Sequence, residues 1–195
     1  VDLSKGSCPA ANLPQFLKAK PEETNTTSPS TNEPLSTDAL MNKGNAALGR
    51  GDFAEAEKSF RIAAERGEAE AQFALGSMYL QGQGVQQSNT EAAKWYRRAA
   101  EQGNISTQVG LGAMYYNGQG VSQDHSKAAE WYRRAAEQGD AAAQQYLGSM
   151  YSSGQGVPQN HTAAAAWFHE AAKQGNAYAQ WAVGLTYYKG EGVQQ

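Results

Sequence analysis

The sequence predicts an all-α fold: a solenoid of antiparallel helix pairs stacked along one chain. Three observations predict it. Landmark residues recur at a fixed step of 36, as in Trp95, Trp131 and Trp167, in Gly76, Gly112, Gly148 and Gly184, and in Tyr79, Tyr115, Tyr151 and Tyr187. Within each step, two apolar stripes run at helical spacing. A glycine turn divides them: QGQGV, NGQGV, SGQGV and KGEGV begin at Gln81, Asn117, Ser153 and Lys189. A period of this length marks a repeat architecture, in which one hairpin cannot bury its apolar faces and neighbours must stack.

Taken in order, residues 1–36 read as an N-terminal arm and linker. Asn25 to Ser36 is rich in Thr, Ser, Pro and Asn, too poor in apolar surface to offset the entropy of ordering it. The segment from Leu13 to Leu17 carries a few apolar residues that could dock on the solenoid or on a partner. Residues 37–195 read as the solenoid, with units at 37–67, 68–103, 104–139 and 140–175 and an incomplete unit at 176–195. The first unit predicts helices at Leu40–Leu48 and Phe53–Arg66, joined by a turn at Gly49–Asp52. The second predicts a helix from Glu70 to Leu80, with Ala71, Leu75, Met78 and Tyr79 on its apolar stripe. Gly82 ends it, because glycine adopts positive φ at little cost. Ser88, Asp124 and Asn160 share one repeat position and are preferred N-cap residues for the second helix. That helix carries Ala92, Trp95, Tyr96, Ala99 and Ala100 and stops at Gly103. Its alanines allow close backbone approach, and the indole fills the wider gap. The last unit has a first helix, Ala177 to Tyr188, and no second. This predicts an uncovered apolar face, and either a natural protein that continues beyond Gln195 or a weak end to the stack.

Composition excludes several functions. The 195 residues carry 16 basic and 19 acidic side chains, a net charge of −3, which is no electrostatic footprint for nucleic acid. No apolar run approaches the roughly 18 residues of a membrane span. A single cysteine, Cys8, rules out an intrachain disulfide and a thiolate metal cluster. The Gly82–Gly84 pair follows a helix rather than a strand and lacks Lys-Ser/Thr, so it is a turn and not a phosphate loop. His125 and His161 stand one repeat apart at helix starts and read as exposed first-turn residues rather than metal ligands. Arg97, Arg98, Arg133 and Arg134 precede Glu101 and Glu137 at the spacing of helix-face ion pairs. No residue stands in a context that suggests a nucleophile or an acid/base couple, so no catalytic, cofactor or metal site is expected. The chain opens on Val1 with no signal pattern left to read. The favoured address is extracytoplasmic, periplasmic or secreted.

The segment AQFALGSMYLQGQGVQQSNTEAAKWYRRAAEQG from Ala71, its copies from Thr107 and Ala143, and a partial copy from Ala179 resemble Sel1-like repeats, relatives of the tetratricopeptide repeats. The first unit is more similar to a plain tetratricopeptide hairpin, through Gly44, Asn45, Gly51, Asp52, Phe53 and Ala56. The resemblance implies a right-handed superhelix whose first helices line a concave surface. It also implies an adaptor, often of the bacterial envelope, signalling or host contact. Cysteine-rich relatives linked to penicillin binding or hydrolysis carry a cysteine pair in each unit, and these repeats have none.

The expected function is therefore a non-catalytic scaffold that holds a protein or peptide on its concave surface, as an adaptor, inhibitor or immunity protein. A penicillin-hydrolysing enzyme and a structural spacer of the envelope are the alternatives. Repeat positions that vary on the open face give the candidate binding residues: Phe73, Leu80, Val109, Tyr116, Gln145, Trp181, Leu185 and Tyr188. Aromatic anchors of this kind concentrate at interface centres, and packing between repeats is the competing role. Gln72, Gln108, Gln144 and Gln180 recur in every unit and read as scaffold hydrogen-bonding groups, since buried polar atoms must be satisfied.

Overall fold

A computed structural model describes residues 34–189. The chain divides into two units, Val1–Leu35 and Ser36–Gln195. The expected arm and linker lie outside the described residues up to residue 33.

Among the described residues there are nine α-helices and no strand: α1 (Thr37–Gly49), α2 (Phe53–Glu65), α3 (Ala69–Gln81), α4 (Asn89–Glu101), α5 (Ile105–Asn117), α6 (His125–Glu137), α7 (Ala141–Ser153), α8 (His161–Lys173) and α9 (Ala177–Lys189). Odd-numbered helices are the first of each pair (A helices) and even-numbered ones the second (B helices). Each helix packs on its neighbours in the chain. The result is a solenoid held mainly by contacts between neighbouring elements.

Capping fixes the ends. Ser88, Asp124 and Asn160 accept from the amides of Glu91, Lys127 and Ala163 at 3.3, 3.0 and 2.9 Å, as their sequence position predicts. The same device starts most A helices, where Asn104, Asp140 and Asn176 accept from Thr107, Ala143 and Ala179 at 3.0, 2.7 and 2.9 Å. Ser36 caps α1 at 3.2 Å, which is why that helix begins at Thr37 rather than Leu40. Gly82, Gly118 and Gly154 end α3, α5 and α7 with φ of 68°, 69° and 74°.

Two kinds of close approach set the packing within and between units. On each of the first four A helices a glycine faces an aromatic ring of its B helix. A Cβ at Gly44, Gly76, Gly112 or Gly148 would stand 2.5, 2.4, 2.8 or 2.8 Å from the ring of Phe60, Tyr96, Tyr132 or Phe168. No side chain fits there, so each ring seats directly on helix backbone. The second approach uses the middle glycine of the turn. Gly84, Gly120 and Gly156 take φ of 70°, 70° and 72°. A Cβ on them would lie 2.3, 2.2 and 2.2 Å from the carbonyl oxygens of Phe53, Asn89 and His125. Those three residues open the B helix of the preceding unit, so the turn rests on the hairpin before it.

The repeated indoles are hidden between units. Trp95 and Trp131 are each 8% exposed. Trp95 belongs to the core of Phe60, Ala63, Leu75 and Met78, and Trp131 to that of Ala100, Leu111, Tyr115 and Leu147. The guanidinium carbons of Arg98 and Arg134 cap the outer faces of these two rings at 4.5 Å, a cation–π contact. In the next unit Glu170 replaces the arginine, and Trp167 is half-buried.

Two predictions follow from this packing. Gly76→Ala should destabilise the chain by about 1–3 kcal/mol through overpacking against Tyr96, whereas Gly184→Ala, with nothing within 4 Å, should be neutral or stabilise by up to about 1 kcal/mol; urea denaturation reads both. Trp131→Ala should cost about 3–5 kcal/mol, and hydrogen exchange should rise in the units around α6 more than in α1 and α2.

Candidate functional site

The B helices cover one side of each A helix and the neighbouring units flank it, leaving one accessible edge. On α5 that edge is Ser106, Val109, Gly110, Ala113 and Asn117, all exposed or half-buried, while Thr107, Gln108, Leu111 and Met114 are buried. The accessible residues recur every three or four positions, as one face of a helix requires. On α3 the same positions hold Phe73, Ala74 and Ser77, and on α7 they hold Gln145, Tyr146 and Ser149.

Charge is sorted between the two sides. Helices α5 and α7 contain no Asp, Glu, Lys, Arg or His, and α3 contains only Glu70. By contrast α4 carries Glu91, Lys94, Arg97, Arg98 and Glu101, and α6 carries Lys127, Glu130, Arg133, Arg134 and Glu137. The A-helix edge is thus a neutral surface of small, amide, hydroxyl and aromatic side chains beside a charged B-helix surface.

The scaffold consumes the repeated polar groups. Gln72, Gln108 and Gln144 are buried and donate to the carbonyls of Ala64, Ala100 and Ala136 at 3.1, 3.1 and 3.2 Å. Their own carbonyl oxygens accept from Gln102, Gln138 and Gln174 at 2.9, 2.7 and 2.9 Å. Each amide so ties the helix end before it to the B helix after it. The arginines behave otherwise than expected: no ion pair joins them to Glu101 or Glu137 among the described residues. Arg61, Arg97 and Arg133 donate to the hydroxyls of Tyr79, Tyr115 and Tyr151 at 2.9, 2.5 and 3.0 Å. The glutamates that are paired lie four residues earlier on the same helix: Glu57 meets Arg61, and Glu130 meets Arg134.

The candidate residues fall into two groups. Phe73 is half-buried and stacks on Tyr96 at 5.8 Å between centroids. Leu80 packs near Ala92, Ala93 and Met114, and Val109 against the cluster that holds Leu111. Tyr116 donates to Gln155 in the next unit's turn at 2.8 Å, and its ring lies 4.8 Å from that of His125. Gln145 accepts from Asn176 at 3.0 Å. These five therefore also brace the stack. The other three, Trp181, Leu185 and Tyr188, lie on α9; Trp181 and Tyr188 are exposed and Leu185 is half-buried.

Sequence reasoning did not choose Ser77, Tyr146 or Tyr178. Ser77 Oγ lies 2.9 Å from the Tyr96 hydroxyl, whose pKa burial pushes above its ordinary value. Tyr146 stacks on Tyr132 at 4.9 Å, and Tyr178 lies 5.5 Å from Trp181. The signal was present: Ser77 and Tyr178 sit three or four residues from a chosen position, and Tyr146 sits next to Gln145. His125, expected in solvent, is half-buried against Tyr116 with its Nδ1 unpartnered. Among the described residues no group of three or more His, Cys, Asp or Glu is placed to hold a metal, and no helix is long and apolar enough to cross a membrane.

The Sel1 repeat family matches residues 69–104, 105–140, 141–176 and 177–195. The chain belongs to the Sel1 repeat family. The matched segments start at α3 and leave out α1 and α2, the pair without the GxGV turn. Among solved structures, the chain is similar to a protective antigen present in uropathogenic Escherichia coli strains that displays an SLR fold. The two are 39% identical with a TM-score of 0.78, over 82% of this chain and 35% of that one. It is also similar to a Sel1 repeat protein from Oxalobacter formigenes, at 33% identity and a TM-score of 0.76, over 81% of this chain and 67% of that one. The chain thus spans about a third of the length of the E. coli antigen. No curated protein matches it at a significant level. Sel1 repeat proteins are in general protein-interaction scaffolds.

The glutamine relay sets a test of the scaffold. Gln108→Ala should cost about 1–3 kcal/mol by removing the buried amide's bonds to the Ala100 carbonyl and the Gln138 side chain. Gln180→Ala, at an exposed copy of the position, should cost clearly less in the same denaturation series.

Proposed function

We propose that this Sel1 repeat chain is a non-catalytic scaffold that binds a protein or peptide along its A-helix edge, in a bacterial adaptor, inhibitor or immunity role. One observation carries the reading: the charge-free edge of α5 and α7 beside the heavily charged α4 and α6. A solenoid needs charge somewhere to stay dispersed, and it needs none on an edge that is periodically covered. Removing water from neutral small and aromatic groups is far cheaper than from ions, and depletion of charge with aromatic enrichment is the composition of interface centres. Phe73, Leu80, Val109, Tyr116, Gln145, Trp181, Leu185 and Tyr188 supply the variable anchors. Ala113 and Ser149 leave room between them for a bound segment, extended or helical.

The test places charge on the edge without harming the fold. Ser106 and Ala142 are exposed, in the first turns of α5 and α7, where a carboxylate suits the helix dipole. With a partner captured from the source bacterium, Ser106→Glu combined with Ala142→Glu should weaken binding about tenfold or more at an unchanged melting temperature. Glu130→Ala on the opposite side should leave it intact. Equal binding by all three proteins would remove the A-helix edge as the site.

A further inference from the structure

Resting on the A-helix edge as the binding surface, we propose what that surface holds: an uncharged, proline-rich peptide in the polyproline II conformation. The peptide crosses the A helices with one anchor residue on each.

The spacing of the A helices comes first. A Cβ on Gly76 of α3 or on Gly110 of α5 would strike the same ring, that of Tyr96. A single phenol thus lies between these two successive A helices and touches both backbones. At the next step Tyr132, seated on Gly112 of α5, stacks on Tyr146 of α7 at 4.9 Å between centroids. Helices this close stand roughly 8–10 Å apart from axis to axis. The open residues repeat at that step, as Phe73, Val109 and Gln145 do on α3, α5 and α7, all half-buried. A peptide crossing them must offer side chains on one face at the same interval. Polyproline II has three residues per turn and gains about 3.1 Å per residue, so its residues i, i+3 and i+6 line one face about 9 Å apart. A β-strand returns side chains to one face about every 6.7 Å and falls out of step.

An α-helix repeats a face over seven residues, in about 10.5 Å, so spacing alone admits it. The chemistry of the edge decides against it. A bound helix is held by a continuous apolar groove, but below the anchors the edge carries Ser77, Ala113 and Ser149. Amides stand beside them. Gln81 and Asn117 occupy one repeat position and are exposed. Gln145 accepts from Asn176 through its oxygen, which leaves its nitrogen to donate. A helix has spent its carbonyls on its own backbone, whereas a polyproline II chain has every carbonyl open. Donors beside aromatic rings suit such a backbone. The rings are Phe73, Tyr116 and Tyr146, each braced by a neighbouring ring, and aromatic-lined grooves are how proline-rich segments are held. With no Asp, Glu, Lys, Arg or His on α5 and α7, a charged ligand finds no counterion there, so the occupant is neutral.

The probe is a capped peptide of four Leu-Pro-Pro triplets, about 37 Å long, labelled for fluorescence anisotropy and titrated with the full chain. Three comparison peptides are titrated beside it. Three Leu-Pro-Pro-Pro quartets keep the conformation and length but place leucine about every 12 Å. Four Glu-Pro-Pro triplets add charge, and an alanine-based helix carries leucine at every seventh position. The Leu-Pro-Pro peptide should bind one per chain, at least about tenfold more tightly than any of the three. Asn117→Ala should weaken it severalfold at an unchanged melting temperature, and Ser106→Glu with Ala142→Glu should weaken it as well. Equal binding of triplets and quartets, or no binding of the triplets, overturns the proposal. Tighter binding of the helix does so too, as does self-association of the chain that the Ser106→Glu, Ala142→Glu pair abolishes. In each of these cases a captured partner that still responds to that pair keeps the A-helix edge as the site.

Discussion

The structure depends on an aromatic ring lying directly on a helix backbone. Wherever a B helix crosses its A helix, a glycine removes the Cβ and a phenyl or phenol ring takes its place. That contact sets the distance between the two helices of a hairpin. Alanines on either side of the ring keep the rest of the crossing equally close, and the buried tryptophans then close the wider gap to the preceding unit. Glycine inside a helix is intrinsically costly, by about 1 kcal/mol relative to alanine. Its recurrence at Gly44, Gly76, Gly112 and Gly148 shows that the ring contact outweighs that cost at every crossing.

A second layer of order comes from side chains that reach across units. The glutamine relay satisfies helix-end carbonyls, and the arginine–tyrosine bonds tie α2, α4 and α6 each to the A helix after it. Both are hydrogen bonds in half-buried settings, where a partner is worth more than in water and a missing one is expensive. Neither set draws on Val109, Gly110 or Ala113 of the A-helix edge.

Much of the fold was legible because a repeat supplies its own controls. The period, the glycine stops and the caps at Ser88, Asp124 and Asn160 all follow from backbone rules that act within a few residues. The burial of Trp95 and Trp131 follows from stacking. Less legible were interactions fixed only by the crossing geometry. Sequence spacing pairs Arg97 with Glu101, yet its guanidinium reaches Tyr115, 18 positions away. The reason for Gly76 was equally hidden, since a missing Cβ is informative only when its facing ring is known. At the candidate site, helical spacing found Phe73 and Val109 but not Tyr146, because reading one position per unit overlooks the neighbour one residue on that shares the edge.

The turn glycines carry a consequence for how such a surface can diversify. Gly84, Gly120 and Gly156 meet main-chain oxygens of the preceding hairpin, so the pitch from unit to unit is gauged by peptide groups, which are alike in every sequence. Curvature is then inherited with the turn, and the residues along the edge can be exchanged without bending the frame that displays them. A chain built this way can change what it grips while keeping the same grip.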